Sequence, residues 1–202
     1  MRTFLLSVFI VCNAAVAMAQ DVEKRDVTIW SDGVRMAGDL YLPKGLKKDA
    51  KLPAVLFCAG TSGTKKGTPQ KLAPRFAQAG FVFLAFDYRV WGESDSRLMS
   101  LDKQPAPDAK NELTVRARAI RWQMDFANQA MDIRAAISFL AGEPNVDPQR
   151  IGIMGSSYGG GLVAYHVLKG MTHYGIYREG FEEATRLELD WFTKHLKSGK
   201  TP

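Results

Sequence analysis

The sequence predicts an α/β protein whose mostly parallel sheet carries helices on both faces. Three short apolar runs, residues 53–58, 81–86 and 151–155, alternate with segments whose apolar residues recur at helical spacing. Continuous apolar strands are typical of parallel sheets, because such strands are covered on both faces. The alternation of strands and helices along the chain favours crossover connections between parallel neighbours.

The composition is that of a globular chain of one ordinary domain. Of its 202 residues, 46% are hydrophobic and 24% are charged, which excludes a disordered chain and a coiled coil. The net charge is +6, but no run of five basic residues occurs, so the excess indicates a solvated surface and no nucleic-acid partner. Two Cys and three His leave little for a structural metal site. No nucleotide-binding loop occurs either, and we expect no cofactor.

The first nineteen residues have the pattern of a cleaved signal peptide. Arg2 gives the positive start, residues 4–11 are apolar, and Ala17-Met18-Ala19 forms a cleavage site before Gln20. This pattern predicts a secreted or periplasmic protein. The alternative is an N-terminal membrane anchor, but the apolar run is far shorter than the roughly 20 residues that a span needs.

The mature chain, residues 20–202, is expected to begin with an antiparallel hairpin at a sheet edge. Apolar and polar residues alternate over residues 27–29 and 34–42, around the turn Ser31-Asp32-Gly33. Cleavage would leave Cys58 as the one cysteine, so we expect no intramolecular disulfide.

Two helices are predicted between the buried strands. Leu72, Phe76 and Ala79 indicate a helix that begins near Pro74 and ends before Gly80. A second apolar stripe ends before Gly142 and comprises Phe126, Ala130, Ile133, Ile137 and Leu140. Between these helices, residues 96–123 form an insertion in which Val115, Ala119 and Trp122 suggest a short basic helix.

Residues 155–159, Gly-Ser-Ser-Tyr-Gly, fit the G-x-S-x-G pattern of a nucleophile on a sharp strand-to-helix turn. A buried strand precedes the motif and a small-residue helical start follows it. Ser157 is therefore the candidate nucleophile. The backbone N–H of Tyr158 would face a developing oxyanion. The alternative is a glycine-rich turn without chemistry.

Four segments of the chain resemble α/β-hydrolases of the group that includes dienelactone hydrolases, acetyl-xylan-type esterases and prolyl-oligopeptidase-like hydrolases. They are residues 52–67, 80–95, 145–161 and 170–197. The resemblance implies an exported serine hydrolase that cleaves small-molecule carboxylic esters through an acyl-enzyme on Ser157.

The resemblance also assigns the other site residues. His173 maps onto the general base, and the N–H of Thr61 maps onto the second oxyanion donor. The insertion at 96–123 is expected to lie over the site and to shape the substrate pocket. His195, near the end of the final helix, suits the helix dipole, and His166 has no motif around it.

The chain departs from the family pattern where the catalytic acid belongs. In this fold the triad runs Ser, then Asp or Glu, then His, yet residues 158–172 contain neither acid. The interval is also short, since each parallel crossover needs on the order of 30 residues. The resemblance therefore implies a shortened fold without the acid-bearing segment. Glu93 or Asp95 could supply an acid from another loop, although solvation of that loop is favoured for both.

Three interpretations follow. The first is an active esterase. The second is a catalytically impaired relative that acts as a binding protein or has no function of its own. In the third, a homodimer completes the sheet, because missing interior strands would leave raw sheet edges.

Overall fold

The computed structural model describes residues 21–162, 178 and 180–197. The strands and helices within them are β1 (Val22–Ser31), β2 (Val34–Pro43), β3 (Leu52–Cys58), α1 (Pro69–Gln78), β4 (Val82–Phe86), β5 (Leu98–Ser100), β6 (Ala117–Ala119), α2 (Phe126–Gly142), β7 (Val146–Gly155) and α3 (Phe181–Phe192). The central element is a five-stranded sheet with the strand order β1-β2-β4-β3-β7. A separate two-stranded ribbon pairs β5 with β6.

The sheet has a parallel core and an antiparallel edge, as predicted. β4, β3 and β7 pair in parallel, whereas β2 pairs with β4 antiparallel. β1 is the first strand of the β1–β2 hairpin and forms the edge of the sheet. The hairpin turn at Asp32 and Gly33 has φ values of 49° and 73°. Positive φ at both central residues is the geometry that matches the right-handed twist of paired strands.

Helices cover both faces of this sheet. In the strand register Val55 is the partner of both Phe83 and Gly152, so these three positions share a face. Phe76 of α1 packs against Phe83 there with ring centroids 5.2 Å apart, and Phe192 of α3 packs against Phe76 at 5.9 Å. α2 packs against β1, β3 and β7 on the opposite face. The predicted architecture of helices on both faces is confirmed.

Helix α1 begins five residues earlier than the sequence pattern predicts. It starts at Pro69, and Pro74 lies inside it. Proline at the first turn costs no hydrogen bond, and the burial of the apolar face holds the helix together past the second proline. The predicted end is confirmed: Gly80 has φ +81°, and the Phe81 N–H donates to the Phe76 carbonyl at 3.0 Å.

The insertion at 96–123 contains no helix, so the predicted basic helix is wrong. Its ordered part is the ribbon of β5 and β6, in which Met99 pairs with Arg118. The apolar positions Val115, Ala117 and Ala119 alternate with Arg116 and Arg118. This alternation has the period of two that favours a strand. Val115, Ala119 and Trp122 alone do not reveal it, because the arginines between them are left out.

The second predicted helix is confirmed as α2. Asp125 caps its N-terminus by accepting a hydrogen bond from the Asn128 N–H at 3.1 Å. The predicted signal peptide and residues 163–177 lie outside the described residues. No helix within the described part of the chain is long and apolar enough to cross a membrane.

Candidate active site

Ser157 lies on the tight turn that joins β7 to a short 3₁₀ turn at 159–162. Its φ is +49°, a left-handed conformation that is uncommon for a residue with a side chain, and its side chain is exposed. The Ser156 N–H donates to the Cys58 carbonyl at 3.1 Å, and the Gly160 N–H donates to the Ser157 carbonyl at 2.9 Å. Strained residues of this kind cluster at functional sites. The geometry is that of a nucleophile elbow.

The two glycines of the motif are required by close backbone packing. A Cβ at Gly155 would overlap the carbonyl of Gly159, and a Cβ at Gly159 would overlap the carbonyl oxygen of Cys58. The turn can therefore form only if both positions lack a side chain. This explains why a residue held on such a turn is flanked by glycine two positions away on each side.

The loop after β3 packs directly against the elbow. A Cβ at Gly60 would lie 3.1 Å from the Cβ of Ser157. Thr61, the predicted oxyanion donor, is the next residue, and Tyr158 directly follows the nucleophile. Neither the Thr61 N–H nor the Tyr158 N–H donates a backbone hydrogen bond to another described residue. The structure thus brings the loop of Thr61 to Ser157, and the oxyanion role of the two N–H groups stays a prediction.

Asp87 fastens this loop to the rest of the molecule. It directly follows β4 and is 1% exposed. One carboxylate oxygen accepts from the Lys65 N–H at 2.7 Å, and the other accepts from the Glu93 N–H at 2.8 Å. Burial raises the pKa of Asp87, although both backbone bonds act in the opposite direction. Asp87 is not among the predicted site residues; its one sequence signal is an acidic residue directly after a buried strand.

Lys65 provides a second fastening for the same loop. Its buried ammonium lies 2.7 Å from a carboxylate oxygen of Asp39 and 2.8 Å from one of Glu93. Burial alone would lower the pKa of Lys65, but the bonds to Asp39 and Glu93 raise it above its usual range. The buried pair of Lys65 and Asp39 therefore holds the loop against β2 as a charged pair.

Both acidic residues considered as substitutes for the missing acid are engaged in ion pairs. Glu93 pairs with Lys65 and Lys66, whose hydrogen bonds lower the pKa of Glu93 to about 2. Asp95 accepts two hydrogen bonds from the guanidinium of Arg35, the shorter at 2.7 Å. Both carboxylates are therefore paired with basic side chains on the solvent-accessible loop after β4.

The sequence profile of the dienelactone hydrolase family matches residues 37–177 of the chain. This chain belongs to the dienelactone hydrolase family. The resemblance to this group that the motifs indicated is thereby confirmed, and the α/β-hydrolase fold is confirmed with it.

Two curated proteins show how the family member compares with known sequences. The quorum-quenching protein AidA of Acinetobacter baumannii is 30% identical over 138 residues, which make up 68% of this chain and 37% of that protein. The uncharacterized protein PA2218 of Pseudomonas aeruginosa is 31% identical over 146 residues, 72% of this chain and 33% of that protein. The chain thus spans about a third of the length of these curated relatives.

Solved structures show the same fold. The acetyl xylan esterase from Paenibacillus sp. R4 superposes on this chain with a TM-score of 0.50 at 25% identity. The aligned region covers 70% of this chain and 43% of the esterase. The crystal structure of PA2218 from Pseudomonas aeruginosa gives a TM-score of 0.50 at 27% identity, with 76% and 42% covered.

Of the three histidines, His195 lies within the described residues. The predicted general base His173 lies outside the described residues, as does His166. His195 follows α3 on a single π-helical turn, where its ring packs against that of Trp191 with centroids 4.6 Å apart. Because Trp191 is 48% exposed, His195 lies at the outer side of the C-terminal helical segment and not among the residues around Ser157.

Within the described residues no group of three or more His, Cys, Asp or Glu is placed to hold a metal ion. Cys58 is a buried free thiol at the end of β3. Burial raises the pKa of Cys58 to about 12. The thiol is therefore neutral at physiological pH, and Ser157 is the better candidate nucleophile of the two.

Proposed function

We propose that this dienelactone hydrolase family member is a serine hydrolase of carboxylic esters that works through an acyl-enzyme on Ser157. The observation that carries the proposal is the left-handed, exposed Ser157 at the end of β7, with the loop of Gly60 packed against it. Membership of a family of hydrolases supports it.

The chemistry follows from these positions and from the resemblance. The Oγ of Ser157 attacks the ester carbonyl carbon while His173 takes the hydroxyl proton. The N–H groups of Tyr158 and Thr61 donate to the oxygen that becomes negative. The carbon–oxygen bond to the alcohol then breaks, and His173 gives the proton to the leaving oxygen. Water repeats the sequence on the acyl-enzyme, which releases the acid and regenerates Ser157.

The second candidate function is that of a non-catalytic binding protein. It is favoured by the absence of Asp and Glu from residues 158–172 and by the ion pairs that engage Glu93 and Asp95. Without a carboxylate to orient the histidine, a serine protease loses about 10⁴ in kcat. A member with this defect would retain a ligand site and little turnover.

The test is the intact mass of the purified protein after exposure to an ethyl fluorophosphonate. We expect a single covalent adduct on the parent, none on Ser157→Ala, and an undiminished adduct on Ser156→Ala, the matched control on the neighbouring serine. An unlabelled parent that unfolds cooperatively on heating would exclude the esterase and leave the binding protein.

Intact mass also tests export, which we propose from residues 1–19 alone. When the chain is expressed from its full sequence, we expect the exported protein to begin at Gln20. A mass that retains Met1 would contradict cleavage at this site.

A further inference from the structure

Tyr158, which follows the candidate nucleophile, belongs to a group of four packed aromatic side chains. The ring of Tyr158 lies 5.0 Å from that of Phe126 and 6.3 Å from that of Trp91, and Trp91 stacks on Trp122 at 6.5 Å. We call these four side chains, Trp91, Trp122, Phe126 and Tyr158, the aromatic shelf. Tyr158 directly follows Ser157 in the chain, so the backbone of the shelf begins one residue from the candidate nucleophile.

The two inner rings of the shelf are fixed by hydrogen bonds. Trp91 is buried, and its indole N–H donates to the Gln123 carbonyl at 3.0 Å. The hydroxyl of Tyr158 donates to the side-chain oxygen of the buried Gln129 on α2. Neither ring can turn without breaking a hydrogen bond that burial makes costly to lose.

The outer ring of Trp122 is held by strained and braced backbone. Trp122 has φ +58° and Val90 has φ +65°, and the Trp122 N–H donates to the Val90 carbonyl at 3.0 Å. A left-handed β-branched residue is a genuine outlier. Arg121 braces the same loop by donating to the Gly92 and Ser94 carbonyls at 2.6 and 2.7 Å, and its guanidinium lies 5.8 Å from the Trp122 ring.

The outer rings are nevertheless open to solvent. Trp122 is 52% exposed and Phe126 is 71% exposed. Exposed rings that pack on rings fixed by hydrogen bonds offer preorganised faces for stacking, and less side-chain entropy remains to be lost on binding. Backbone strain retained beside such rings is typical of ligand-binding positions.

We propose that the aromatic shelf binds an aromatic ring of the substrate, so that the preferred substrates are carboxylic esters that carry an aryl group. This inference rests on the proposed function for its catalytic part. The shelf sets specificity by stacking, and the reacting carbonyl lies at Ser157.

The test compares two fluorophosphonates that differ only in one substituent, ethyl or 2-naphthylmethyl. In both, Ser157 Oγ bonds to phosphorus and fluoride leaves, and intact mass gives the labelling rate. We expect the naphthyl-to-ethyl rate ratio to fall about three- to tenfold in Trp122→Leu and in Phe126→Leu, the range expected for one aromatic pair. The ratio cancels any effect that a substitution has on Ser157 itself. Trp191→Leu is the matched control, since Trp191 is 48% exposed on α3.

The outcomes separate the two proposals. If both probes label Ser157 and the ratio is the same in all variants, the shelf has no role in specificity and the esterase stands. If neither probe labels, the esterase fails, and calorimetric titration with 2-naphthoate tests the shelf alone. Binding that weakens in Trp122→Leu and not in Trp191→Leu would then support the shelf, and the absence of binding would overturn it.

Discussion

At the scale of single residues, Asp87 connects the loop after β3, which packs against the candidate nucleophile, to the loop after β4. Its two carboxylate oxygens accept hydrogen bonds from the backbone of Lys65 and of Glu93. An amide at this position keeps one acceptor oxygen but turns N–H groups toward a backbone donor. In Asp87→Asn one of the two loops therefore loses its fastening.

We expect Asp87→Asn to lower the free energy of unfolding by about 1.5 to 3 kcal/mol, the contribution of one hydrogen bond to a charged group. The labelling rate of Ser157 should also fall by at least about tenfold, because a loosened loop displaces the N–H of Thr61, the proposed oxyanion donor. Complete loss of such a donor costs about 10² to 10³ in rate. Urea titration and the ethyl fluorophosphonate measure these effects. Asp95→Asn is the control, since Asp95 forms an exposed ion pair. Equal losses in both variants would contradict the role of Asp87.

The candidate nucleophile was predictable from sequence, and the residues that position its surroundings were not. Ser157 was identified because glycines two residues before and after it, following a buried strand, leave few other structures open. Asp87, Lys65 and Asp39 carry no local motif. They meet only because β2, β4 and the loop after β3 adjoin in the folded sheet, which is a property of topology. Their discovery required the fold.

At the scale of elements, the predicted strands and helices agree with the structure where the apolar pattern runs through the whole element. The apolar runs of β3 and β4 have no polar interruption, so they could form little else than buried strands. α2 shows its stripe over four turns and was placed correctly. The helix predicted in the insertion at 96–123 is wrong because three apolar positions can fit a helix by chance. The arginines at 116 and 118 alternate with apolar residues, which is the pattern of a strand. α1 began early because burial outweighed the local preference at Pro74.

The packing of α3 on α1 is the element-scale contact with the clearest energetic consequence. Phe192 is buried between Phe76 and Gly152, where any side chain on Gly152 would overlap it. We expect Phe192→Ala to lower the free energy of unfolding by about 3 kcal/mol, since the rigid sheet cannot collapse into the cavity. Trp191→Ala, on the exposed side of α3, should cost less than about 1 kcal/mol. Chemical denaturation measures both, and similar values would show that α3 is not fastened through Phe192.

At the scale of the whole molecule, β7 is an end of the sheet that no other described strand covers. β7 pairs with β3 on one side, and among the described residues no strand pairs with its other side. The N–H and C=O groups along such an edge can pair with another chain. The opposite end is protected differently, because β1 carries the charged residues Glu23, Lys24, Arg25 and Asp26.

We therefore propose that two copies of the chain associate through β7, and we expect the purified protein to show a mass that increases with concentration. A dimer linked by mass action should give way to monomer across about a hundredfold dilution. Light scattering coupled to size exclusion measures this, and the denaturation midpoint should rise with concentration in parallel. A mass that stays monomeric over this dilution range would show that β7 is not an association edge.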